Sequence, residues 1–94
     1  MDRTEILRCL VETVIEVQQL SGAEVLEITA ETSPILDLDE FDSLRGVETT
    51  ELLAAKLKCA FKGGTGNENV FVSQDGRRAL KIEEAVDRIL QLKR

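Results

Sequence analysis

Ile6, Leu7, Leu10, Val11, Val14, Val17 and Leu20 recur at steps of three and four residues within "DRTEILRCLVETVIEVQQLSG". That spacing gathers them on one broad face of a helix, and nothing else in the chain limits its fold so strongly. Asp2 with Glu5 suits the start of this helix, and Gly22 can take the left-handed conformation that ends one. A second helix is expected from about Ser43 to Phe61, where Leu44, Val47, Ala54, Leu57 and Phe61 keep the helical period while Glu48, Glu51, Lys56 and Lys58 face elsewhere. "KIEEAVDRILQLKR" closes the chain as a third, with Ile82, Ala85, Val86, Ile89 and Leu90 inward and a basic end suited to a helix C-terminus. Three amphipathic helices in 94 residues predict a small all-α bundle, one domain over residues 1–94.

The connections are unequal. "AEVLEITAETSPILDLDEF" reads as a long, ordered loop tacked to the core by Val25, Ile28, Ile35, Leu36 and Phe41. "KGGTGNEN" holds too many Gly and Asn for a stable element and reads as a flexible turn. In "VFVSQDGRRAL" a β-branched and aromatic triplet precedes an Asp-Gly turn signal. This stretch fits a small hairpin or an irregular loop pinned by Phe71.

Composition narrows the chemistry. A chain this short buries about 60 to 65% of its unfolded surface and has little room for an enclosed cleft. It has no His, so acid-base work near neutral pH would fall to carboxylates. Cys9 and Cys59 lie singly within apolar segments and are expected to be reduced core thiols. No run is long and apolar enough for a membrane span and "MDRTEILR" lacks a secretion signal, so the expected compartment is the cytoplasm. The net charge of -6 is unevenly spread: residues 1 to 55 hold thirteen acids and three Arg, residues 56 to 94 five acids and nine bases. The acidic half would repel nucleic acid and attract basic protein partners.

"LDEFDSLRGVE", in the acidic half, sets four carboxylates around Ser43. Asp42 and Ser43 are both favoured N-cap residues, but capping by either accounts for only one of them. Neither choice puts a Glu at the third helical position. Gly46 costs about 1 kcal/mol relative to Ala inside a helix, which points to a local demand for a small residue. A hydroxyl at a helix start is exposed, stiffly mounted and near unpaired N–H groups that favour a phosphate. With no His or Lys beside it in the sequence to activate the oxygen, Ser43 suits attachment by another enzyme better than nucleophilic catalysis of its own.

"DSLRGVE", with Leu38 and Phe41 before it and "LLAAKL" after it, resembles the prosthetic-group site of the acyl carrier protein family. "EITAETSPILDL" is similar to that family's first loop and "ALKIEEAVDRIL" to its last helix, so the resemblance covers nearly the whole chain in order. It implies an acyl-carrier-like bundle with 4′-phosphopantetheine carried covalently on Ser43, added by a separate phosphopantetheinyl transferase. It implies that Asp42 helps the transferase and its metal dock, and that Leu44 and Val47 meet the base of the arm. Arg45, Glu48 and Glu51 fall on the docking surface for acyl-transferring or condensing enzymes with basic patches. The protein would then be a monomeric carrier in fatty acid, lipid or polyketide-type biosynthesis, not itself an enzyme.

The chain departs from the family in three places. No Gly shortly precedes Asp42, Arg45 stands where an acid often follows Asp-Ser-Leu, and the short third helix is replaced by the irregular or hairpin-like segment. These suggest a specialised carrier. The alternatives are a peptidyl carrier, an adaptor of the same shape that never takes the arm, and a small hydrolase using Asp39, Glu40 and Asp42. Sequential acids on a loop lack a pocket to separate their pKa values, which disfavours the hydrolase.

Overall fold

The computed structural model describes residues 2–22, 27–38, 40–58, 68–73 and 75–92. Four helices occur among them: α1 (Arg3–Leu20), α2 (Pro34–Asp37), α3 (Ser43–Leu57) and α4 (Ile82–Leu92). α1 packs against both α3 and α4. The expected all-α bundle of three main helices is therefore present, with α2 as a single turn inside the long first connection. Among the described residues no helix is long and apolar enough to cross a membrane.

α1 begins where Asp2 Oδ1 accepts from the Glu5 N–H at 2.9 Å and ends at Gly22, whose φ of 78° is left-handed. Its core face is Ile6, Leu10, Thr13, Val14 and Gln18, with Leu7 and Val11 partly covered. The stripe rotates away from the expected one at its C-terminal end, so Leu20 is 80% exposed. Thr13, fully buried, satisfies its hydroxyl on Cys9 O at 2.6 Å. Cys9 is a free, half-buried thiol packed against the core, whereas Cys59, Val25 and Phe61 lie outside the described residues.

The first connection is not loop throughout. Ser33 and Pro34 start α2, and the Asp37 carboxylate reaches back to accept from the Ser33 N–H at 2.8 Å. Proline's fixed φ favours such a start. Phe41 and Leu38 enter the core and Ile28 and Ile35 pack against it, so three of the expected residues tack the segment down, whereas Leu36 is 74% exposed and does not. Backbone groups add to this: the Ile82 and Glu83 N–H groups at the start of α4 donate to Thr32 O (2.8 Å) and Ala30 O (2.9 Å). The same helix start is closed by Glu84, which accepts from the Lys81 N–H at 3.0 Å. That bond, helped by Arg78, holds the Glu84 carboxyl below its usual range. α4 buries Ile82, Ala85, Val86 and Ile89 as expected, while Leu90 is 42% exposed.

α3 ends four residues before Phe61, the expected limit, because Lys58 turns left-handed with φ 53°. Its buried stripe is Gly46, Thr49, Thr50, Leu53 and Leu57, so Leu44 lies outside it. Thr49 and Thr50 enter the core because each hydroxyl donates one turn back, to Arg45 O and Gly46 O, both at 2.7 Å.

The described residues between 71 and 80 fold back through a single antiparallel bridge without forming a strand and are pinned by Phe71, so the stretch falls between the two readings. Val72 bridges Ala79 in antiparallel fashion, flanked by bonds from Ser73 N–H to Arg78 O and from Leu80 N–H to Phe71 O, each 2.8 Å. Gly76, at φ 73°, makes the turn. Asp75 accepts from Ser73 Oγ at 2.5 Å and from the Arg77 N–H at 3.0 Å, which holds its carboxyl below the usual value. Phe71 is fully buried and meets Phe41 edge-on, the ring centroids 5.2 Å apart. The expected flexible turn over residues 62–69 stops short of Asn69, which is buried. Residues 62–67 lie outside the described ones.

Thr50 joins this segment to α3, since its Oγ also accepts from the buried Val70 N–H at 3.1 Å. Thr50→Val keeps the shape and strands that N–H, at a cost of about 1 to 3 kcal/mol. Each kcal/mol corresponds to about 4 to 8 °C in Tm for a domain this size. Thermal unfolding should show that fall for Thr50→Val and a smaller one for Thr50→Ser, which keeps the hydroxyl; equal Tm values for wild type and Thr50→Val would refute the assignment.

Candidate functional site

Ser43 is the first residue of α3, and Asp42 is its N-cap. Asp42 has extended backbone, and its Oδ1 accepts from the Arg45 N–H at 2.9 Å. The choice between the two capping candidates thus falls on the aspartate, which leaves the serine hydroxyl without a capping role. Ser43 is exposed, and among the described residues no hydrogen bond engages its Oγ. The first intrahelical bond runs from the Gly46 N–H to Asp42 O at 3.0 Å, so the Ser43 and Leu44 N–H groups precede the helical ladder.

Phe41 is 2% exposed, Asp42 is exposed, and between Leu38 and Phe41 the chain turns through Glu40 at φ 62°. Glycine takes that left-handed conformation without steric cost, and here a glutamate does. The departure noted in "LDEFDSL" therefore has a structural counterpart: burial of Phe41 anchors a turn that no glycine relaxes. Asp39 lies outside the described residues.

Around Ser43 the expected residues separate into two groups. Leu44 is 66% exposed, Val47 is half-buried, and Glu48 and Glu51 are exposed. The steps of three and four set these four along one side of α3. Arg45 points elsewhere. Its Nη1 donates to Gln18 Oε1 at 3.1 Å and to Ser21 Oγ at 3.0 Å, at the C-terminal end of α1 where the helix dipole favours a cation. With that guanidinium drawn to α1, the exposed charges on α3 near Ser43 are those of Asp42, Glu48 and Glu51. Lys56, at the far end, pairs with Glu16 of α1.

A shallow groove of about 330 Å³ runs between α1 and α3, lined by Val17, Leu20, Ser21, Arg45, Glu48 and Leu52. Among the described residues no cluster of His, Cys, Asp or Glu could hold a metal ion.

Two residues of the site were not among those singled out from the sequence: Asn69 and Thr50. Asn69 Nδ2 donates to Ser43 O at 3.1 Å, and its side chain lies over Gly46. A methyl group on Gly46 would stand 2.6 Å from Asn69 Nδ2 and Oδ1 and 2.9 Å from Cγ. The glycine that weakens the helix by propensity is the one that admits this contact, and it was the only signal in the sequence that something approached there.

No family model, curated protein or solved structure matches the chain.

The geometry separates the roles of neighbouring residues. Asp42→Ala removes a working cap and should lower stability by about 0.5 to 2 kcal/mol. Ser43→Ala removes an exposed, unbonded hydroxyl and should change it by less than about 0.5 kcal/mol. Urea unfolding of both variants checks this, and a Ser43→Ala loss equal to that of Asp42→Ala would return the serine to a structural role.

Proposed function

We propose that the protein is a carrier: Ser43 bears 4′-phosphopantetheine, and acyl groups travel on the arm's thiol as thioesters. The observation that carries this reading is a serine hydroxyl left exposed and unbonded at the first position of a helix whose cap is supplied by its neighbour. Serine spent on capping would be occupied; this one is presented. The resemblance of "DSLRGVE" to the acyl carrier protein motif supplies the identity of the group. Helix-start N–H donors and dipole then favour the phosphodiester that attachment creates.

In the attachment step Ser43 Oγ attacks the β-phosphorus of coenzyme A. The bond from that phosphorus to the departing 3′,5′-ADP breaks, and the hydroxyl proton passes to a base of the transferase. This chain contributes the nucleophile and its placement; the transferase contributes activation. Asp42 directly precedes the attachment residue and is exposed, and Leu44 gives an exposed apolar contact at the base of the arm. Afterwards the protein makes and breaks no bonds of its own.

Delivery follows from the same face. Glu48 and Glu51 offer exposed carboxylates to basic patches on the transferase and on acyl-transferring or condensing enzymes, while Arg45 is held by α1. Contacts of this kind steer encounter and release quickly, as a shuttle needs, and weaken with salt. Each methylene of an acyl chain sheltered against apolar surface gains about 0.8 kcal/mol, so partners must supply comparable interactions to draw a long chain out.

The test is intact-mass measurement after incubation with phosphopantetheinyl transferases and coenzyme A. The wild-type chain should gain the mass of one phosphopantetheine and Ser43→Ala none; a wild-type chain left unmodified by several transferases contradicts the carrier reading and favours an adaptor.

A further inference from the structure

The segment after residue 68 touches the start of α3 through one buried side chain. Asn69 is 8% exposed. Its Oδ1 accepts from the Phe71 N–H at 3.0 Å, a local turn bond, which fixes the amide so that Nδ2 faces Ser43 O at 3.1 Å. A helical carbonyl has two lone pairs, and the ladder uses one, here for the Val47 N–H. Asn69 takes the other from outside the helix.

A first helical turn is the part of a helix most prone to fray. Asp42 restrains this one from within, through the Arg45 N–H. It does not hold the Ser43 peptide itself. We propose that Asn69 is a positioning residue for Ser43: its amide, locked by Phe71 and admitted by Gly46, holds the Ser43 carbonyl and thereby sets the direction in which the hydroxyl is presented to the phosphate donor. The inference rests on the reading of Ser43 as the attachment residue. Phe41 against Phe71 reinforces it, because the same segment then grips the chain two residues before the serine and at the serine. Asn69 touches neither coenzyme A nor the arm in this scheme.

The two ends of the amide can be tested separately. Asn69→Asp keeps an acceptor for the Phe71 N–H but cannot donate to Ser43 O; Asn69→Ala removes both bonds. Amide hydrogen exchange and steady-state transfer kinetics are measured on the full chain for both variants and wild type. In Asn69→Asp, exchange at Val47 should quicken by about fivefold or more while Phe71 stays protected. Because a misplacement of about 1 Å can cost up to about 100-fold, kcat for transfer should fall by about five- to tenfold with KM for the carrier changed less than about twofold. A variant that merely loosens the fold would raise KM or lose protection at Phe71. Asn69→Ala must show the same loss of kcat, and decides the matter alone if Asn69→Asp does not fold. Wild-type kcat in a folded variant overturns the inference, whereas a wild-type chain that accepts no arm overturns the reading beneath it.

Discussion

The close approach of Asn69 to α3 at Gly46 is the contact on which the rest of the site depends. A side chain at residue 46 would occupy the space that the Asn69 amide fills. The amide in that space donates to Ser43 O, and the next residue's N–H donates to Thr50. A non-helical segment is thereby laced to the first two turns of α3 at three levels: Phe71 on Phe41 before the helix, Asn69 at its first residue, and Val70 on Thr50 two turns in. In a bundle this small, such a strap does what a further helix would otherwise do, covering one flank of α3 and completing the core with Val70 and Phe71.

The remaining framework is organised around α1, which contacts both other long helices. Its apolar residues supply the burial, and its ends are tied by polar groups of unequal worth. Arg3 pairs with Asp87 and also donates to Glu83 O at 3.1 Å, and Lys56 pairs with Glu16, but exposed pairs of this kind contribute about 0 to 1 kcal/mol. The Arg45 contacts with Gln18 and Ser21 matter for another reason. They tether the start of α3 to the end of α1 and fix the guanidinium on the α1 side of the groove that Glu48 also lines. The groove between these helices has the exposed Leu20 in its lining.

How far the sequence could be read depended on whether local periodicity or distant contact decided the outcome. α1 and α4 are legible because their apolar spacing persists over several turns. α2 is not, since four residues cannot display a period, although Ser33 with Pro34 and Asp37 has the chemistry of a start. The buried side of α3 departs from its apolar period because Thr49 and Thr50, polar by type, enter the core through their bonds to the preceding turn. A helix start at Asp-Ser was legible, but which of the two residues caps it and which stays exposed was decided only by the bond from the Arg45 N–H to Asp42. Arg45 was not legible, because the sequence shows its charge but not its partners, which lie 24 and 27 residues away. Asn69 was hidden in a Gly- and Asn-rich stretch whose composition argues for a turn; its burial arises from tertiary packing over a glycine.

The functional reading and the fold meet at this strap, since a carrier's serine must be both outside the fold and held still. The sharpest measurement is therefore a double-mutant cycle between residues 46 and 69, followed by urea unfolding. With Asn69 present, Gly46→Ala should lower stability by about 1 kcal/mol, because losing hydrogen bonds of about 0.5 to 1.5 kcal/mol each outweighs the helix preference of alanine. With Asn69→Ala in place, the same change should raise stability by up to about 1 kcal/mol, the propensity gain alone. An alanine at residue 46 that has the same effect in both backgrounds would contradict the account.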